Sequence, residues 1–348
     1  MMRWGLAAAG LLCVFPGITA RAEEPAHLVR LVLPTDNDAL FHGRGADFYQ
    51  YIERNFHGVI SRPWQGGQYG FVRDPIETRS GIIYTRFHEG MDIRPLRRNA
   101  HGDPTDEVCA IADGVVVYTN AVAGTSNYGK YIVVEHQWGG CPYYSLYGHL
   151  HSIAVQIGQK VSQGEHLAVM GYTGQGLNQA RAHLHLELNL LLSRQFESWH
   201  DTFFKKDPNR HGIYNGINLA GMDIARLYLA LRKQPSLTIP EFISQEETFY
   251  KVIVRNSQYF ELPKRYPWMV VSVPEGQFPS WEISFARSGL PLKITASQKS
   301  VSEPEVSYIR KNSVDFRYLT RGEIGGRGDK AYLTESGKIL MRLLTYPE

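Results

Sequence analysis

The stretch Arg181-Ala-His183-Leu-His185-Leu-Glu187-Leu188 decides how this chain is read. Polar and apolar residues alternate from His183 to Leu188, which is the period of a β-strand. On a strand, His183, His185 and Glu187 share one face while Leu184, Leu186 and Leu188 share the other. Two imidazoles two residues apart then point the same way. That suits a metal site with a neighbouring proton carrier and is uncommon on a packing face. Working outward, two upstream pieces carry matching chemistry: His88-Glu-Gly-Met-Asp92 and Tyr147-Gly-His149-Leu-His151.

A catalytic zinc site takes three nitrogen or carboxylate ligands and leaves one position for water. His88, Asp92 and one imidazole of the His183/His185 pair make such a set. His88-Glu-Gly-Met-Asp92 is not the helical His-Glu-x-x-His signature, because Asp stands where the second His would be and Gly90 lies inside. Glu89 is therefore not assigned as a general base by that analogy. The base and the transition-state stabiliser come from elsewhere, and the spare histidines His149 and His183 are the right chemical type. Two histidines and a carboxylate also suit Fe(II).

Taken together, these motifs resemble those of the lysostaphin/LytM-type zinc metallopeptidases, which are bacterial peptidoglycan endopeptidases. The likeness extends to Ala112-Asp-Gly-Val-Val, Tyr128-Gly-Lys-Tyr-Ile-Val-Val-Glu-His136, Gly158-Gln-Lys-Val161 and Gly171-Tyr-Thr-Gly174, within residues 81–190. The resemblance implies that His88, Asp92 and His185 bind one Zn²⁺ ion and that His149 and His183 flank the reacting water and carbonyl. It also implies a compact β fold with an open groove for the peptide stems of peptidoglycan. Two loops depart from the pattern. Pro95 to Glu107 is long, and Thr173 to Ala182 is long and lacks the common Gly-Pro before His-x-His. Both bear on substrate preference. A non-catalytic wall-binding or amidase-activating relative is the rival reading, and the five intact positions favour an enzyme.

The rest of the chain predicts a mainly β protein. A leader (1–22) precedes an N-terminal extension that could wall a groove (23–80) and a compact antiparallel β metallopeptidase domain (81–198). A C-terminal region (199–348) with one helix and further strands follows. A strand is expected over His27–Leu33 and a helix over Asp47–Phe56. An antiparallel meander is expected from Ala110–Tyr118, Tyr131–His136 and Tyr143–Leu150. Further on, Trp199–Asn218 reads as loop, Asp223–Lys233 as helix, and 251–254, 268–273, 281–285 and 292–295 as strands. Ala331–Leu344 reads as a hairpin around Ser336-Gly337.

Composition sets the context. The chain has 348 residues with 12% aromatic and 20% charged side chains, ordinary for a globular protein. Arg3, an apolar run from Trp4 to Val14 and Ala20-Arg21-Ala22 read as a secretory leader, too short to span a bilayer. Without Arg3 and Arg21, 35 basic residues face 34 acidic ones, so no global field draws nucleic acid. Export would place Cys109 and Cys141 in an oxidising compartment, where a disulfide between them is favoured. His27, His42, His57, His101, His166, His200 and His211 are read as structural. His136 is read as structural or as a support for the site, and Glu187 as a possible orienting partner for His185.

Overall fold

The alternation seen in the His-x-His stretch continues into a sheet. In the computed structural model, which describes residues 28–51, 56–58, 63–79 and 81–347, the protein is mainly antiparallel β. The leader expected over 1–22 lies outside these residues. Strands β1 (Gly70–Thr78) and β2 (Gly81–His88) form a hairpin, and β3 (Met91–Ile93) follows at once. After β4 (Glu107–Cys109) comes the expected meander: β5 (Gly114–Asn120), β6 (Tyr131–Trp138) and β7 (Cys141–Gly148), each pairing antiparallel with the next. The glycine-punctuated pieces become β8 (Ser152–Ile153), β9 (Lys160–Val161) and β10 (His166–Val169). Strand β11 (Leu184–Leu191) begins within the His-x-His motif and carries His185, and β12 (Leu219–Met222) lies beside its second half.

Seven strands make the main sheet, in the order β12-β11-β7-β6-β5-β9 with β3 also on β11. Strand β11 is buried at every position because both faces of the sheet are covered. One face holds Ile132, Val134, Tyr147, Leu184, Leu186 and Leu188 in the large core. The other gathers Tyr131, Val133, Tyr144, Leu146, Leu191 and Leu219 in a smaller one. The large core runs without a break into the C-terminal strands, including Val252, Val254, Ile283 and Ile294. There, β13 (Tyr250–Arg255), β14 (Ser280–Phe285), β15 (Pro291–Ser297) and β16 (Glu305–Ile309) form a second sheet, and β17 (Ile324–Arg327) and β18 (Lys330–Leu333) form a hairpin.

Several expectations are corrected. Leu28–Leu33 forms no strand; it lies against the core and Val32 N–H bonds Ile111 O at 3.0 Å. The helix expected over 47–56 is a single turn, α1 (Gly45–Phe48), because Tyr49 turns extended to bridge Ile93; residues 52–55 are outside the described ones. Trp199 is not in a loop but in α2 (Phe196–Phe203), buried with its Nε1–H donating to Ile339 O at 3.0 Å. Helix α3 (Ile224–Lys233) stands as expected, capped by Asp223 on Arg226 N. It is joined by α4 (Ile239–Ser244), α5 (Leu262–Arg265) and α6 (Glu335–Thr345), so the C-terminal region has more than one helix. The segment 268–273 is a 3₁₀ turn and a lone bridge, since Pro267 starts the turn. Cys109 and Cys141 are free thiols; they lie on strands of different sheets, β4 and β7.

The expected hairpin at Ser336-Gly337 is instead the first turn of α6. Thr334 caps it by accepting from Gly337 N–H. Glycine is needed at 337 for closeness rather than for turning, because a Cβ there would lie 2.1 Å from Glu323 O. His136 is also structural. Its Nδ1 donates to Asp113 O at 2.8 Å, its Nε2 lies 2.7 Å from Ser145 Oγ, and it is fully buried.

Gly337→Ala is expected to cost ~1–3 kcal/mol by overpacking, despite alanine's better helix propensity. Gly124→Ala, where an added Cβ meets nothing within 4 Å, should stay within about 0.5 kcal/mol; chemical denaturation compares the two. A second expectation concerns pH. Burial pushes the His136 pKa down from 6.5 to about 4. Between those values the unfolded chain binds the extra proton, so this contribution is complete above pH 6.5 and is lost as pH falls towards 4. His136→Gln should flatten the stability profile across that window, by up to ~3 kcal/mol at ~1.4 kcal/mol per pH unit. An unchanged profile would remove His136 as its cause.

Candidate metal centre

Four strands deliver five polar side chains to one place. His88 ends β2, Asp92 is the middle of β3, His149 follows β7, His183 precedes β11 in a lone bridge with Gly171, and His185 is the second residue of β11. The ladder does the placing. Antiparallel pairing sets Asp92 opposite His185 across β3 and β11, and Gly148 opposite His185 across β7 and β11. Gly90 permits the approach: a Cβ there would sit 2.2 Å from Leu186 O. The glycine between His88 and Asp92 thus answers to the close passage of β11.

Within the cluster, His88 Nε2 lies 3.0 Å from Asp92 Oδ1 and 3.1 Å from His185 Nδ1. His185 Nδ1 lies 2.9 Å from Asp92 Oδ1. One ligand atom from each of His88, Asp92 and His185 falls within 4.8 Å of the others, and all three residues are buried. His183 Nε2 is 3.4 Å from Asp92 Oδ1. The His149 ring centre is 4.7 Å from that of His183 and 5.7 Å from that of His185.

Every imidazole is held by its outer nitrogen. His88 Nδ1 donates to Gln68 O at 2.8 Å, His149 Nδ1 to Thr173 O at 2.8 Å, and His183 Nδ1 to Arg181 O at 2.7 Å. A carbonyl can only accept, so in the neutral rings the proton is on Nδ1 and Nε2 is bare. His185 is reversed. Its Nε2 donates to Glu187 Oε1 at 2.8 Å and its Nδ1 faces Asp92. Glu187 is fixed in turn by the Tyr128 hydroxyl at 2.8 Å and the Asn189 amide at 2.9 Å. Glu187 thus has the orienting place the sequence suggested.

His88 Nε2, His185 Nδ1 and the Asp92 carboxylate face one another and could hold a cation. The electrostatics agree. Burial alone would raise the Asp92 pKa, but His183, His88 and Arg73 hold it well below the carboxylate range. Burial works against a charged His185, yet its bonds to Asp92 and Glu187 outweigh this and raise it to about 10. Two carboxylates face one ring, so the cluster calls for positive charge. Burial holds His149 well below its usual value, reinforced by His183 and His185. His149 also has φ +62°, a left-handed conformation that costs energy in a residue with a Cβ and that recurs at functional sites.

Residues that sequence reasoning passed over complete the surroundings. Arg73 Nη2 bonds Asp92 Oδ2 at 2.6 Å. Arg321, from the C-terminal region, bonds Glu89 Oε1 at 2.8 Å and lies over the Phe87 ring. Tyr128 stood in a quoted motif without a role; the arginines, from segments with no family likeness, left no signal. The two long loops meet each other. Arg98 Nη1 donates to Gln179 O at 2.9 Å, and Gln179 Nε2 donates to His101 O at 2.9 Å and Asp103 Oδ1 at 2.7 Å. This paired wall ends at Arg181, whose carbonyl holds His183. His151 has no place in the cluster; its carbonyl accepts from Lys130 Nζ at 2.8 Å.

Residues 86–195 match the model of Peptidase family M23. The chain is 34% identical over 149 residues to the peptidoglycan DD-endopeptidase ShyA of Vibrio cholerae, covering 40% of this chain and 30% of that protein. It is 39% identical over 82 residues to the murein hydrolase activator EnvC of Escherichia coli, covering 24% and 17%. The chain thus spans a third or less of these relatives' lengths. Among solved structures, the catalytic domain of the antimicrobial peptidase lysostaphin from Staphylococcus simulans is 25% identical, covering 35% of this chain and 75% of that one, with a TM-score of 0.24.

Proposed function

We propose that this chain, which carries a Peptidase family M23 domain over residues 86–195, is an exported zinc metalloendopeptidase that hydrolyses peptide cross-links of bacterial peptidoglycan. One observation carries the reading: His88 Nε2, Asp92 Oδ1 and His185 Nδ1 converge at 2.9–3.1 Å from one another while two further histidines stand beside them. His88, Asp92 and His185 would hold one zinc ion. Bound there, the ion supplies Lewis-acid polarisation of a carbonyl and a water whose pKa falls to about 7.

The chain's own residues supply the proton handling. His149 and His183 keep their Nδ1 protons on Thr173 O and Arg181 O, so each offers Nε2 to the reacting atoms. One accepts the proton of the attacking water; the other steadies the developing oxyanion once it carries a proton on Nε2. Glu187 keeps the His185 ring turned with Nδ1 inward. The similarity to ShyA supports a peptidoglycan cross-link as the substrate, and the apolar run before Ala20-Arg21-Ala22 supports export. The described helices include none long and apolar enough to cross a membrane. The similarity to EnvC favours a second reading, in which the chain activates another wall hydrolase.

Digestion of purified sacculi, with and without a chelator, separates the two. Chelator-sensitive loss of cross-linked muropeptide dimers, read by mass spectrometry, is the expected outcome. Intact sacculi from a zinc-loaded protein would favour the activator. His185→Ala should lose zinc and turnover together. His149→Ala should keep zinc and lose at least ~100-fold in turnover, the scale of a missing general acid or base. Zinc lost from His149→Ala would make that residue a ligand.

A further inference from the structure

We propose that Arg73 is the positioning residue for Asp92, turned onto the metal centre by a β-bulge that lies before the matched family domain. Phe71 of β1 stands opposite Phe87 of β2, but Arg73 stands opposite Arg86. Strand β1 therefore carries one extra residue between these pairs. In a regular strand Phe71 and Arg73 would share a face. The bulge breaks that alternation. Phe71 stays with Phe87, their ring centres 5.1 Å apart, while Arg73 joins the opposite face, that of His88. Bulges commonly re-aim a side chain next to a functional site.

The re-aimed side chain is held at two points. Its Nη2 reaches Asp92 Oδ2 at 2.6 Å and its Nε donates to Gly66 O at 2.9 Å. Asp92 is thereby divided: Oδ2 is occupied by the guanidinium, and Oδ1 alone faces His88 and His185, at 3.0 and 2.9 Å. A carboxylate whose second oxygen is engaged presents a single oxygen to a cation. With two imidazole nitrogens that makes three protein donors, the number that leaves a position for water. Arg73 thus decides how Asp92 is offered, and the planar guanidinium fixes the direction of that oxygen better than a point charge would. The backbone sets the same constraint, since Asp92 O accepts from Gln50 N–H at 2.8 Å and the residue cannot swing away.

This inference rests on the reading of His88, Asp92 and His185 as zinc ligands. Its test measures zinc affinity of the full chain by competition with a chromophoric chelator, the visible spectrum of the Co²⁺-loaded protein, and the melting temperature with and without metal. Arg73→Gln should weaken zinc binding by about 10–100-fold, as loss of a ligand's outer partner does, and should alter the Co²⁺ spectrum. Its melting temperature should fall without metal, because buried Asp92 loses a partner, and should fall further with zinc present. Arg73→Lys should recover part of the affinity but not the wild-type spectrum. Wild-type affinity and spectrum in Arg73→Gln would overturn the proposal. So would a fall in melting temperature as large without metal as with it, which would make Arg73 a fold residue. A wild-type chain that takes up no zinc would overturn the ligand reading itself, and this inference with it.

Discussion

The short antiparallel pairing of Met91–Ile93 with Leu184–Leu186 is the constraint on which the rest depends. It sets Asp92 against His185 through backbone hydrogen bonds, so the candidate metal centre is built into the sheet. Burying a carboxylate and several imidazoles in one place is unfavourable unless each is paired. Here each is: Asp92 by Arg73, His88 by Gln68, His183 by Arg181, and His185 by Glu187. A cluster held from outside in this way leaves His88 Nε2, His185 Nδ1 and Asp92 Oδ1 facing one another.

The sheet supports that pairing from both sides. Leu184, Leu186 and Leu188 anchor one face of β11 in the large core, while Leu191 and its neighbours close the other. The C-terminal region is part of the support. Strand β12 extends the main sheet beside β11, Tyr69 Oη donates to Gly221 O at 2.9 Å, and Arg321 grips Glu89 beside His88. Residues 199–348 therefore bear on the centre through packing and one ion pair, and the core they share with the main sheet is continuous.

Much of the candidate site was legible because it is written in local patterns. The period-two alternation at 183–188 gives a strand with its histidines on one face, and β11 is that strand. Val115 to Val117, Tyr131 to His136 and Tyr143 to Leu150 carried enough hydrophobic pattern to give the meander. Errors fell where local signals have two meanings. Ser336-Gly337 resembles a turn, yet Thr334 caps a helix there and Gly337 is small because Glu323 passes close. Trp199 and its aromatic neighbours resemble a loop, yet they pack as α2 against Ile339. Pairing Cys109 with Cys141 needed proximity, which no spacing conveys.

By itself the sequence indicated the candidate chemistry: which side chains could ligate or carry protons, and that His88, Asp92 and His185 sit on strands. Those facts depend on side-chain type and on a period two residues long, and both are local. Only the tertiary structure decided which partner holds each group. Arg73, Gln68, Tyr128 and Thr173 reach the centre from segments distant in the chain. Their roles depend on strand register, on a bulge in β1 and on a left-handed His149, and register is settled by the energy of the whole sheet and not by any single stretch.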